Sequence, residues 1–142
     1  MPLDPERMEG LAGFRFALRR FLSASEQISR DAGVTPQQYQ AMLAIRTKAD
    51  GPMSMKELAE QLLLTHHAAV QLVDRLSKAG LAVRERSAED RRSVWLKLSA
   101  RGDELLDDLA GQHLEAMLHQ EPLLSRSLRQ LKKMRAQSDG PV

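Results

Sequence analysis

The sequence predicts a mainly α-helical fold with one small β-hairpin, a winged helix-turn-helix carried between N- and C-terminal dimerisation helices. Three observations predict it. Apolar side chains recur at helical spacing over most of the 142 residues. Two segments open with capping-box sequences, Thr35-Pro36-Gln37-Gln38 and Ser54-Met55-Lys56-Glu57. Between residues 81 and 98 the period changes to two, on either side of a short charged stretch.

Residues 1–8 read as a loose lead-in. Over residues 9–30, Leu11, Phe14, Leu18, Phe21 and Ile28 form one apolar stripe, which Gly33 ends. Thr35 caps the next helix, Pro36 suits its first position and Gln38 completes the box. That helix runs to about residue 48, with Tyr39, Met42, Leu43 and Ile45 supplying apolar contacts, and Asp50-Gly51-Pro52 is a turn. Ser54 opens a short helix to residue 63 whose inward face is Leu58, Ala59 and Leu62. Thr65 caps a helix over residues 66–79, with Ala69, Leu72, Val73 and Leu76 at i, i+3, i+4 and i+7. Gly80 supplies its left-handed end.

Residues 81–86 and 93–98 then alternate as strands. Val94, Leu96 and Leu98 share one face, and Trp95 and Lys97 the other. Ser87-Ala88-Glu89-Asp90-Arg91-Arg92 forms the charged tip between them. Ser99 caps a helix to about residue 120, and Asp103 and Glu104 favour its first turn. Its stripe is Leu105, Leu106, Leu109, Leu114, Met117 and Leu118. Pro122 forces a break or a first-turn start, and Leu124, Leu128 and Leu131 mark a final helix. The expected organisation is therefore residues 1–34 for dimerisation, 35–100 for the winged helix-turn-helix, 101–136 for dimerisation and 137–142 as a flexible tail.

Composition removes several function classes. The absence of cysteine excludes a disulfide scaffold, a thiolate metal site and a thiol redox sensor, and it suits a cytoplasmic setting. No run of apolar residues is long enough for a membrane span, and the N-terminal decapeptide lacks the apolar stretch of a secretory signal. Net charge is only +2, but residues 51–101 hold nine basic and six acidic side chains. No glycine-rich phosphate loop, nucleophile elbow or paired-carboxylate motif is present, so no enzyme and no cofactor are expected. Adjacent His66 and His67 diverge on a helix. Glu115 and His119 permit shared ligation, but no second pair accompanies them, so no metal is expected. His113 reads as an interface or surface residue, and the methionines as core filling.

The helix over residues 66–79 is solid on one face and open on the other, as a helix entering the major groove must be. Its open face offers Thr65, His66, His67, Ala68, Val70, Gln71 and Arg75. Gln71 suits an adenine edge, and Ala68 and Val70 suit thymine methyl groups. In the hairpin, Arg84, Arg86, Arg91 and Arg92 place guanidinium groups on a thin ribbon suited to the minor groove. Asp90 lowers that field, and its carboxylate suits bracing an arginine or the turn backbone.

Together these residues resemble the MarR family of transcriptional regulators, over about residues 34–109. Leu58-Ala59, Val73-Asp74-Arg75-Leu76, Gly80-Leu81, Glu89-Asp90-Arg91-Arg92-Ser93 and Leu96-Lys97-Leu98-Ser99-Ala100-Arg101-Gly102 carry the resemblance. It implies a homodimer with interlocking terminal helices, double-stranded DNA with a palindromic operator as partner, and repression relieved by a small aromatic or anionic effector. It places Thr65, His66, His67, Ala68, Val70 and Gln71 on the recognition helix, Arg92 at the wing arginine and Asp90 as its acidic companion. Three departures follow. Ala68 and Val70 stand where the family often has Ser or Thr, so base preference does not transfer. Leu63 stands where it often has glycine, which predicts a looser turn. The C-terminal helices are expected to be short.

A homodimer is also expected from the residues alone. Leu11, Phe14, Leu18, Phe21, Leu114, Leu118, Leu124, Leu128 and Leu131 exceed what a small reading head covers. The alternative reading is a winged-helix protein-interaction module without specific DNA binding, against which the arginine-tipped wing argues.

Overall fold

The computed structural model describes residues 2–90 and 93–138, with residues 133–138 as backbone. Arg91 and Arg92 lie outside the described residues. The described residues form five helices and three strands: α1 (Pro5–Asp31), α2 (Pro36–Thr47), β1 (Met53–Ser54), α3 (Met55–Leu62), α4 (His66–Lys78), β2 (Ala82–Arg86), β3 (Val94–Leu98) and α5 (Ala100–Ser138). The chain divides into two units, one of Met1–Ile28 with Gln112–Val142 and one of Ser29–Gly111.

The unit of residues 29–111 is built on its caps. Thr35 Oγ1 accepts from the Gln38 amide at 3.1 Å and Gln38 Oε1 accepts from the Thr35 amide at 2.8 Å. Ser54 and Glu57 repeat this box at the start of α3. Each box satisfies two amides that a helix start otherwise leaves unpaired. The core gathers Tyr39, Met42 and Ile45 of α2, Leu58 and Ala59 of α3, Leu72, Val73 and Leu76 of α4, Leu81, Ala82 and Leu96 of the wing, and Leu106 and Leu109 of α5. Arg46 bridges α2 to α5 through Asp103 at 2.9 Å and Asp107 at 3.1 Å.

The sheet has three strands in the order β1-β3-β2, all antiparallel. β1 was not expected. It pairs Met53 with Leu96 and Ser54 with Trp95, and two residues are too few to show a period. It fixes the start of α3 to the middle strand of the wing.

The turn from α3 to α4 is not the looser variant that leucine suggested. Leu63 adopts the left-handed conformation at φ 57° and ψ 42°, and the Leu64 amide donates to the Ala59 carbonyl at 2.9 Å. This is a tight helix-terminating turn, made with a residue that has a Cβ.

In the other unit, α1 starts earlier than expected and replaces the loose lead-in. Asp4 Oδ1 accepts from the Arg7 amide at 2.9 Å and Pro5 takes the first helical position. α5 does not break at Pro122 but runs through it to Ser138. Proline costs a helix one hydrogen bond. Packing on both sides of Pro122 holds the helix: His113 lies against Ser25 and Phe21, and Ser127 and Leu131 lie against Gly13 and Gly10. The expectation of short C-terminal helices is therefore corrected. No helix among the described residues is long and apolar enough to cross a membrane.

Candidate nucleic-acid interface

α4 is positioned by its two ends and one buried face. Thr65 caps it, its hydroxyl accepting from the Ala68 amide at 3.1 Å. Gly80, at φ 75°, terminates it, and the Leu81 amide closes on the Leu76 carbonyl at 2.9 Å. Ala69, Leu72, Val73 and Leu76 are buried. That leaves Thr65, His66, His67, Gln71 and Arg75 exposed, with Ala68 and Val70 half-buried. Five of the seven residues expected to read DNA thus stand in solvent on one helix. Val70 is less free than expected. It lines a groove of about 480 Å3 together with Met55, Lys56, His66, Arg84 and Trp95.

The wing follows in register, Ala82 opposite Leu98 and Arg86 opposite Val94. Its tip is organised by Ser87, Asp90 and Ser93. Ser87 Oγ accepts from the amides of Glu89 and Asp90 at 3.2 and 3.3 Å. The Ser93 amide donates to the Asp90 carbonyl at 3.0 Å, and Ser93 Oγ donates to Asp90 Oδ2 at 3.2 Å. Asp90 is therefore tied to Ser87 and Ser93 at the two ends of the tip, its carboxylate meeting the Ser93 hydroxyl.

The other wing arginines differ from one another. Arg84 donates through Nη2 to Asp74 Oδ1 of α4 at 2.5 Å. Glu85 and Lys97 pair across the strands at 2.9 Å. Arg86 is exposed and has no ion-pair partner among the described residues. Lys56, exposed in the first turn of α3 and lining the groove beside Val70, is a cationic residue that sequence reasoning missed. Its signal was its place in the first turn after the capping serine, two residues beyond Ser54, at the start of the first helix of the helix-turn-helix.

The residues expected at a dimer interface lie on α1 and α5. Leu11, Leu18, Leu114, Leu118 and Leu128 are exposed, and Phe14, Phe21, Leu124 and Leu131 are half-buried. Met8, Phe16, Leu22 and Met117 are also exposed and extend the apolar surface. His113 corrects an expectation: it is buried, 2.7 Å from Ser25 Oγ and edge-on to Phe21. No group of three or more histidine, aspartate or glutamate side chains suited to a metal occurs among the described residues.

Comparison with known proteins points the same way as this geometry. The sequence profile described as "MarR family" matches residues 32–93, which span α2 to the wing. The HTH-type transcriptional regulator YkoM of Bacillus subtilis (strain 168) is 31% identical over 103 residues, which cover 70% of this chain and 66% of that protein. The HTH-type transcriptional regulator FarR of Neisseria gonorrhoeae is 29% identical over 110 residues, 77% of this chain and 73% of that one. The crystal structure of AbsC, a MarR family transcriptional regulator from Streptomyces coelicolor, superposes with a TM-score of 0.71. It does so at 20% identity, covering 84% of this chain and 81% of that one, a likeness of fold. With a capped helix α4 open on one face, a three-stranded sheet and these relatives, the chain belongs to the MarR family of winged-helix transcriptional regulators.

Proposed function

We propose that this protein is a cytoplasmic, sequence-specific regulator that binds a palindromic operator as a homodimer and acts as a repressor. One observation carries the reading. The face of α4 that bears His66, His67, Gln71 and Arg75 is exposed beside an arginine-bearing wing, while the opposite face is buried to its last side chain. A surface helix with no partner has no need of a flanking ribbon of guanidinium groups. A helix seated in a major groove has both a use for its polar side chains and phosphates beside it.

The exposed leucines of α1 and α5 support self-association, because apolar side chains in that number leave water only against another surface. A two-fold pair of reading helices would meet successive major grooves when about 34–36 Å apart. A small aromatic or anionic effector would release DNA by favouring a different spacing of the two heads.

The test is a selection from random duplexes with the purified full-length protein. The expected result is an inverted repeat with half-sites about one helical turn apart. Its binding should weaken steeply with salt. Enrichment of no motif would defeat the reading.

A further inference from the structure

We infer that Arg84 and Asp74 form a positioning pair that holds the wing against the recognition helix, so that Arg84 serves DNA reading without itself taking a phosphate. The inference rests on the DNA-reading function proposed above.

The strand periodicity puts Ala82, Arg84 and Arg86 on one face of β2. Ala82 is buried in the core, and Arg86 is exposed at the far end of the strand. Arg84 stands between them, where the wing leaves the body of the domain. There it meets Asp74, in the C-terminal half of α4, at 2.5 Å. On this side of the sheet Arg84 lines the groove of about 480 Å3 with Val70, Val94 and Trp95. Strand pairing holds β2 to β3 from Ala82 to Arg86, and α4 faces β2 across the groove. The ion pair is the polar tie across it.

Charge supports the same assignment. An arginine reserved for phosphate gains most when no carboxylate neutralises it. Arg84 carries its neutralising carboxylate with it, and Asp74 is 46% exposed, so a phosphate drawn to Arg84 would also be drawn toward Asp74. Lys97 and Glu85 cancel in the same way on the other face of the sheet. Arg86 is thereby the cation of β2 that has no acidic partner among the described residues.

Substitution of Asp74 separates the two roles by sign. If Arg84 were a phosphate ligand, Asp74→Asn would free it and strengthen binding to the selected operator. If the pair positions the wing, Asp74→Asn and Arg84→Gln each lower the ratio of operator to scrambled-duplex affinity. The loss is about twofold to fivefold, as befits a partly exposed pair, and the double variant loses no more than either single one. The salt dependence adds a second readout. Arg86→Gln should reduce the slope of log K against log[salt] by about 0.9, while Arg84→Gln leaves it unchanged. Arg84→Lys keeps the pair and should retain most of the ratio, which controls for misfolding of the glutamine variant. A rise in operator affinity for Asp74→Asn, additive losses in the double variant, or a lower salt slope for Arg84→Gln would each overturn the inference. Should the wild-type protein enrich no motif from random duplexes, the DNA-reading function itself falls and the pair loses its role with it.

Discussion

The carbonyl oxygen of Leu81 lies 2.0 Å from where a Cβ on Gly102 would stand. No side chain fits that gap, so the start of α5 approaches the root of the wing only because residue 102 has none. Ser99 completes the junction. Its amide donates to the same Leu81 carbonyl at 3.0 Å, its hydroxyl donates to the Gly80 carbonyl at 2.6 Å, and that hydroxyl accepts from the Gly102 amide at 3.0 Å. The Ser-x-x-Gly sequence is thus a weld between strand root and helix. Gly102→Ala should destabilise the protein by about 2–3 kcal/mol, the cost of overpacking against backbone that cannot give way. Chemical denaturation checks this, and an unchanged midpoint would contradict the close approach.

Leu63 has the opposite prospect. It holds a left-handed conformation that costs a residue with a Cβ about 1–2 kcal/mol, and its side chain is 92% exposed and so recovers nothing by burial. Leu63→Gly should stabilise the fold by about 0.5–1 kcal/mol, since the greater freedom of glycine in the unfolded chain offsets part of the gain. The denaturation midpoint should rise.

The pair of Lys48 and Glu57 predicts a pH dependence. The hydrogen bond from Lys48, and then those with Ser54, hold the Glu57 carboxyl below its ordinary value of 4.5. Such a group stabilises the fold above its unfolded pKa, and the contribution is lost as pH falls through the lower folded value. Lys48 is raised above 10.5, chiefly by its hydrogen bond to Glu57, so its contribution is present below that value and lost as pH rises past it. Glu57→Gln should therefore flatten the stability profile on the acid side of pH 4.5 and above pH 10.5. Urea midpoints measured across both limbs provide the check. A profile parallel to that of the wild type would remove the pair from the account.

On the reading surface, two substitutions should fail in different ways. Gln71→Ala removes a side chain suited to a base edge and should cost about 1–3 kcal/mol at one position of each half-site. Arg92→Ala should weaken binding across sequences and lower the salt slope. Binding assays on the selected duplex and on single-base variants of it distinguish the two patterns.

Leu114 and Leu118 are 58% and 57% exposed, so within one chain they bury little. Replacing both by glutamate should leave the chain folded and convert a dimer into a monomer. Sedimentation velocity together with circular dichroism reads both properties. A dimer that persists would place the interface elsewhere.

Local chemistry made much of this fold legible from the sequence. The caps at Thr35, Ser54 and Thr65, the stripe through Ala69, Leu72, Val73 and Leu76, and the alternation along β3 each act within a few residues, and each stands where the sequence placed it. The Asp4-Pro5 start of α1 was equally local and was there to be read.

What the sequence alone determined was which residues cap α2, α3 and α4 and which side chains of α4 face inward. Only the tertiary structure decided that β1 joins the sheet, that α5 continues through Pro122, that His113 turns inward to Ser25, and that Arg84 belongs to Asp74. These four outcomes share a physical reason. Capping and periodicity are settled by neighbours along the chain. A proline's lost hydrogen bond, a histidine's burial and an arginine's choice of partner depend on which groups arrive from distant parts of the chain, and no window of sequence contains both sides of that contact.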